Sequence, residues 1–279
     1  MNTSSNNREK KIYFSVLMSL YNGEKPNYLH KCLESLYEQT MQPDEIIVVF
    51  DGSIRIELEN IINEWESKLP LKIVKIENNV GLGNALNFGL SQCKNNIVAR
   101  MDTDDICLPN RFEKQITYMD KNPEITILGS NVLEYDETMS KIIGQKSLAL
   151  SYDEILQLIK KRNPFNHMSV IFKKDAIINS GSYQHHLFME DYNLWIRIIS
   201  KGYKVENLPD RLIKVRAGNS MIKRRRGLNY IKSEYKLAKL KINKNIDNKF
   251  SAFFIFLLRS SIRILPVSLL SNLYRLVRK

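Results

Sequence analysis

Cysteine is scarce in this 279-residue sequence: Cys32, Cys93 and Cys107 occur with no CxxC pair and no regular spacing. That excludes a disulfide framework and a cysteine zinc site, and it fits a reducing compartment. Histidine is equally thin, and the pair His185–His186 has no third ligand at zinc-motif spacing. No run of about 20 consecutive apolar residues exists, which excludes a transmembrane helix. The stretch IYFSVLMSL has the length of a signal-peptide core, but YNGE follows it instead of a small-residue cleavage site, so it reads as a first buried strand. Internal repeats and low-complexity linkers are missing too. Acidic residues nearly vanish late in the chain. From Arg211 to Lys279, 18 Lys or Arg face only Glu234 and Asp247, a local charge of +16 in a chain whose total is +12, so residues 1–210 carry −4. A mildly acidic body with a strongly basic tail implies that the tail meets something anionic.

What is present is a hydrophobic fraction of 43%, enough for one sizeable core. After a polar stretch over residues 1–11, expected to be flexible, the first half alternates two patterns. KIYFSVLMSL, DEIIVVF, LKIVKI and NNIVARM are short β-rich runs, while PNYLHKCLESLYEQT, IRIELENIINEWESK and GLGNALNFGLSQC have helical spacing. Strand–helix alternation with short connections predicts an α/β fold with a mostly parallel, doubly wound sheet, in which ligands bind beyond the carboxyl ends of the strands. Farther on, ITILGSNVLEYD, SKIIGQK and MSVIF read as strands, and YKVENL and RLIKVR as edge strands. SYDEILQLIKK reads as a helix capped by Ser151 with Glu154 three residues on, EDYNLWIRIISKG as a helix ended by Gly202, and Leu228 to about Lys244 as a long basic helix.

The strand ends gather polar residues on one rim: Tyr21-Asn22-Gly23, Asp51-Gly52-Ser53, Asn79-Val80-Gly81 with Asn84, and Asp102-Thr103-Asp104-Asp105. In an extended loop Asp102 and Asp104 project to the same side, and two hard oxygen donors suit Mg²⁺ or Mn²⁺. The competing role, capping the helix that begins near Pro109, accounts for Asp105 but not for the other two. The glycines of NNVGLGNALNFG depart from the dinucleotide spacing GxGxxG; a glycine-bounded helix start accepts a phosphate or sugar hydroxyl, or is only a tight turn. Asp51 either accepts hydrogen bonds from a base or starts a turn, and Tyr21 and Asn22 either stack on and bond a base or form an ordinary strand exit. Glu190 and Asp191 open an amphipathic helix, where acids complement the helix dipole or supply a general base; Arg197 on that helix reads as solvated or salt-bridging. His167 precedes an apolar strand, the usual setting of a hydrogen-bonded structural histidine. Arg216 and the run Lys223–Arg226, including Arg225, form either a diphosphate clamp or a solvated basic face.

Taken in order, SVLMSLYNGEKP, PDEIIVVFDGS, NNVGLGNALNFGL, VARMDTDDICLPNRFEKQ, RNPFNHMSVIFKK, FMEDYNLWIRIISKG and RRRG cover roughly residues 12 to 230. In this ordered set the chain resembles a bacterial family 2 glycosyltransferase of the GT-A fold, of the amylovoran exopolysaccharide type. The resemblance implies inverting transfer of a sugar from a nucleotide-sugar donor, with a uridine nucleotide as the family's habit. It implies nucleoside contacts from Tyr21, Asn22 and Asp51, donor contacts from Asn79, Gly81 and Asn84, and a metal-binding DxD at Asp102 and Asp104 for Mn²⁺ or Mg²⁺. Asp191 corresponds to the catalytic base, and Arg100, Asp102, His167, Glu190, Arg216 and Arg225 join the substrate-binding set. Two departures stand out: relatives often have two acids where Phe50-Asp51 stands, and often a histidine in the region of Arg216-Ala217-Gly218.

The expected division is a catalytic domain over residues 12–222 and a basic helical extension over 223–279. The expected acceptor is a saccharide on a polyprenyl diphosphate. The apolar segments FFIFLL, IRIL and LYRLVRK then lie at the inner face of the cell membrane, with Lys and Arg on anionic headgroups, or pack on the catalytic domain or a second subunit as a homodimer. Two other functions compete. Nucleotidyl transfer lacks its basic, glycine-rich phosphate loop after the first strand. Nucleic-acid binding, prompted by the basic pI, has no recognisable module, and no nucleic-acid partner is expected.

Overall fold

A computed structural model describes residues 12–217 and 227–264. Its first hundred residues follow the alternating pattern: β1 (Phe14–Leu20), α1 (Pro26–Tyr37), β2 (Glu45–Asp51), α2 (Ile56–Glu66), β3 (Leu71–Ile76), α3 (Leu82–Gln92) and β4 (Ile97–Arg100). These four strands pair in parallel in the order β3-β2-β1-β4. β2 is buried along its whole length, and β1 nearly so, because helices cover both faces. Alternation divides them: Phe14, Val16, Met18 and Leu20 pack with Leu29, Leu33, Leu58 and Phe112 on one side. Leu17, Ile47 and Val49 pack with Leu86, Leu90, Leu194 and Trp195 on the other.

Beyond β4 the sheet changes character. β5 (Ile106–Cys107), α4 (Arg111–Lys121), β6 (Ile125–Tyr135), β7 (Ile142–Lys146), α5 (Tyr152–Lys161), a 3₁₀ turn (His167–Ser169), β8 (Ile171–Lys173), α6 (Lys174–Asn179), α7 (Glu190–Ser200) and β9 (Lys204–Arg216) follow. β8 inserts antiparallel between β4 and β6, and β9 runs parallel to β6 and antiparallel to β5. The sheet is therefore parallel on the β1–β4 side and mixed beyond it. YKVENL and RLIKVR are not two strands but the two halves of one, β9, which pairs with β6; β5 covers only Ile213 and Lys214, so among the described residues the YKVENL half lies at the sheet edge. Pro209 interrupts the run without ending it. The pairing shifts register near Ser130 and Asn131, and the Asn131 Nδ2 donates to the Pro209 carbonyl at 2.9 Å. The Ser151–Glu154 capping box opens α5 as the sequence predicts.

α8 (Leu228–Asn243) and α9 (Lys249–Ile264) complete the described chain. α8 sends Tyr230 and Leu237 into the second core. The two helices are clamped by Glu234, which is 3% exposed and accepts two bonds from Arg259 Nε at 2.9 and 2.8 Å, with Arg263 at 3.7 Å.

Candidate functional site

The carboxyl ends of the parallel strands converge where the sequence gathers its polar residues. At the end of β2, Asp51 is 4% exposed and turns its carboxylate onto the β3–α3 loop. It accepts the Val80 N–H at 2.7 Å, the Gly81 N–H at 3.1 Å and the Asn79 amide at 3.1 Å. Asn79 also donates to the Asp51 carbonyl, and Asn84 donates to the Val80 carbonyl. The close approach needs Gly52, since at φ +87° a Cβ there would lie 2.9 Å from the Asn79 nitrogen. Asp51 thus clasps two loops and fixes the start of α3, where Gly81 stands as N-cap. After β1, Tyr21 is half exposed, and Asn22 accepts the Arg55 N–H at 2.9 Å, which ties the first loop to the second.

At the end of β4 the carboxylates of Asp102, Asp104 and Asp105 place one oxygen each within 4.8 Å of one another. Burial, then the charges of Asp102 and Glu24, push Asp104 up to about 7. Asp105 is pushed well up, by burial first and then by its two neighbours. Asp105 does not cap α4, the role its place before Pro109 suggests. The N-cap there is Asn110, without a side-chain bond, and Asp105 is buried and accepts the Arg216 N–H at 3.1 Å. Proximity in sequence favours capping, but the loop bends inward toward β9 before α4 begins. Arg216 braces the same loop: its Nε donates to the Asp104 carbonyl at 2.8 Å, its Nη1 to the Glu137 carbonyl, and its guanidinium lies 3.7 Å from the Tyr28 ring centre. Glu24, not singled out from the sequence, accepts the Thr103 hydroxyl at 2.6 Å and the Lys25 N–H at 2.7 Å. Its only sequence signal is its place two residues after Asn22.

Behind the aspartates lies Arg100, 1% exposed, paired with Asp102. Its Nε and Nη1 have no hydrogen-bond partner among the described residues. His167 bonds the Tyr183 hydroxyl at 2.8 Å, and burial together with the Arg100 charge holds its imidazole well below the usual range. Tyr183 is in turn gripped by Asn87 of α3, which donates to its carbonyl and accepts its N–H, both at 2.8 Å.

α7 brings its two acids to the same region. A Cβ built on Gly83 would lie 3.4 Å from Glu190 Cγ, so the start of α3 abuts Glu190. Burial raises the Glu190 carboxyl, with Asp191 adding to it. Asp191 accepts the Asn163 amide at 2.6 Å, and Asn163 is itself fixed by the Phe165 N–H. Asn163 escaped the sequence reading because only the fold brings RNPFN beside α7. Arg197 is buried, not solvated or salt-bridging: it donates to Asn193 and to the Ser180 and Ser182 carbonyls, and burial lowers it to about 10. His186 is a buried bridge between Asn193 and the Ser233 carbonyl. Arg225 and the rest of Lys223–Arg226 lie outside the described residues.

The arrangement offers hard oxygen donors beside a buried guanidinium, with a second carboxylate pair across from the start of α3. Comparison with known proteins agrees with this architecture. "Amylovoran biosynthesis glycosyltransferase AmsE" of Erwinia amylovora is 53% identical over 95% of this chain and 99% of its own length. The Escherichia coli "UDP-Gal:alpha-D-GlcNAc-diphosphoundecaprenol beta-1,3-galactosyltransferase" is 37% identical over 95% of this chain and 96% of its own. Among solved structures, S. aureus TarS 1–349 in complex with UDP-GlcNAc superposes with a TM-score of 0.66 at 19% identity, covering 89% of this chain and 72% of that one; the chain spans 43% of the longer TarS structure. The Pyrobaculum calidifontis mannosyltransferase PcManGT, in complex with GDP-Man and Mn²⁺, gives 0.64 at 15% identity, over 96% and 81%. Residues 15–186 match the family described as Glycosyl transferase family 2, and the chain belongs to that family as a glycosyltransferase of the GT-A fold.

Proposed function

We propose that the enzyme performs a metal-dependent, inverting transfer of a sugar from a uridine diphosphate sugar to a saccharide carried on a polyprenyl diphosphate, in exopolysaccharide, capsule or O-antigen assembly. The relatives' names support the sugar, the nucleotide and the lipid carrier. The observation that carries the reading is the aspartate cluster at the end of β4. Three carboxylates whose oxygens lie within 4.8 Å repel one another, and Asp104 retains a proton up to about 7. Hard oxygen ligands gathered at such a cost fit Mg²⁺ or Mn²⁺, held by Asp102 and Asp104. When bound, the ion offsets negative charge on the departing diphosphate.

The remaining work falls to the chain itself. Tyr21, Asn22 and Asp51 hold the nucleoside end, with Asp51 also fixing the loop of Asn79 and Gly81, ahead of Asn84 on α3, at the sugar. Arg100 sits buried with two N–H-bearing nitrogens unpartnered among the described residues, which suits an anionic group beside Asp102. Glu190 and His167 line the donor sugar, and Arg216 and Arg225 serve the diphosphate, Arg216 through its grip on the aspartate loop. Asn163 orients Asp191 as the base. The acceptor hydroxyl oxygen bonds to the anomeric carbon as the bond from that carbon to phosphate oxygen breaks. The hydroxyl proton passes to Asp191, and the electron pair leaves on the nucleoside diphosphate. Attack opposite the leaving group inverts the anomeric centre. In this reading residues 12–222 are the catalytic domain, and 223–279 a basic helical extension at the inner face of the cell membrane. The nucleotidyl-transfer alternative gives way to the family assignment. Asp191→Asn is expected to abolish transfer while leaving UDP binding within about twofold, because the base acts on the acceptor and not on the donor. Full transfer activity in that variant would remove Asp191 from the mechanism.

A further inference from the structure

Among the described residues, α9 carries an exposed apolar stripe. Phe250, Phe253, Phe254, Leu257 and Leu258 are exposed, Phe250 at 91%. Their spacing of three and four residues puts them on one helical face. The other face is fixed, with Ala252, Ser260 and Arg263 buried and Arg259 bonded to Glu234. The stripe cannot turn inward without breaking that buried ion cluster.

The charge of the hairpin that carries the stripe decides what covers it. Lys232, Lys236, Lys239 and Lys249 on the same two helices are exposed. Of the two acids nearby, Glu234 is engaged by arginines, and Asp247 accepts the Ser251 hydroxyl and the Asn248 N–H. A second copy meeting this hairpin would bring two lysine-rich helix pairs together. An anionic bilayer offers hydrocarbon for the phenylalanines and headgroup phosphates for the lysines. Tyr235 has its ring against Phe256 and Lys239 over its face, an amphipathic grouping typical of the headgroup level. No helix among the described residues is long and apolar enough to cross a membrane, so α9 would lie in the interfacial plane.

The same helices are joined to the site. Phe188 stacks on Tyr230 at 5.5 Å, His186 bonds the Ser233 carbonyl at 2.9 Å, and exposed Leu187 and Phe188 lie just before Glu190 and Asp191. The geometry points to docking of the α8–α9 hairpin on an anionic bilayer through the Phe250–Leu258 stripe, which sets the segment ending in Asp191 at the membrane surface to meet a lipid-carried acceptor. This rests on the proposed lipid-linked acceptor and adds the face and the orientation.

The test uses the full chain with vesicles of equimolar phosphatidylcholine and phosphatidylglycerol, and with pure phosphatidylcholine vesicles. The wild-type protein is expected to float with the first and to stay behind with the second. Phe250→Ser/Phe254→Ser/Leu258→Ser is expected to lower partitioning at least about tenfold. Lys232→Gln/Lys236→Gln/Lys239→Gln is expected to lower it about fivefold per lysine. Both variants should keep the wild-type thermal midpoint and donor hydrolysis in vesicle-free buffer, while losing transfer to a lipid-tailed acceptor in vesicles. Flotation of both variants like wild type would overturn the assigned face, and failure of wild type to float would overturn docking itself. In either case intact donor hydrolysis would leave the transfer chemistry standing. If the apolar variant converts a dimer to a monomer with flotation unchanged, the stripe belongs to a second copy and the proposal falls.

Discussion

Replacing Asp51 with asparagine keeps the shape of the side chain and removes one acceptor. In the native loop one carboxylate oxygen takes the Val80 N–H, and the other takes both the Gly81 N–H and the Asn79 amide. The best placement of an asparagine oxygen preserves the second pair and turns an NH₂ group toward the Val80 N–H. One charge-assisted bond, worth about 1.5–3 kcal/mol, is lost, and a part-buried donor is left without its partner. The expected destabilisation is about 3 kcal/mol, which lowers the thermal midpoint by about 5 °C for a chain of this size. UDP binding should weaken as well, because the same bonds position Asn79, Gly81 and the start of α3. Calorimetric melting together with UDP titration measures both effects. A melting point within about 2 °C of wild type, with unchanged UDP affinity, would refute the claim that Asp51 holds the two loops together.

Asp104, pushed up to about 7, holds a proton below that pH that an entering cation must displace. Binding of Mn²⁺ should therefore strengthen as pH rises, by about tenfold between pH 6 and pH 8 for one displaced proton, as followed by metal titration. In the metal-free protein the sign is reversed: the raised carboxyl favours the folded state at acid pH, and this contribution is lost as pH rises from the ordinary carboxylate range through about 7. Thermal melts with EDTA across that window should show the decline, and Mn²⁺ should reverse it. Glu234→Gln leaves Arg259 and Arg263 without their buried countercharge; a loss of about 3 kcal/mol is expected, together with early proteolytic cleavage of α9, while UDP binding stays unchanged.

Much of the parallel half of the fold was legible because its signals are local. The runs that become β1 to β4 are short and apolar, the intervening helices carry the 3.6-residue period, and Ser151 and Glu154 announce their own cap. The rim of polar residues followed from that topology. What escaped the sequence depends on residues brought together from afar. β9 reads as two pieces because Pro209 breaks the local pattern, and only its long pairing with β6 carries the strand across. Arg197 reads as a surface charge because its buried carbonyl partners lie on the preceding loop, and Asp105 reads as a cap because its true partner, Arg216, sits at the end of β9. Glu24 and Asn163 acquire their partners only through the fold.

The insertion of β8 beside β4 also bears on how the chain is made. Residues up to Arg100 can assemble their four strands as they leave the ribosome, since each pairs with a neighbour already synthesised. The edge of β4 then stays open until Ile171–Lys173 emerges, far later in translation. During that interval an apolar strand edge, next to the newly made aspartates, is exposed to other nascent chains. Slowing synthesis between α4 and β8 should therefore favour aggregation in the cell more than an equal delay before β4.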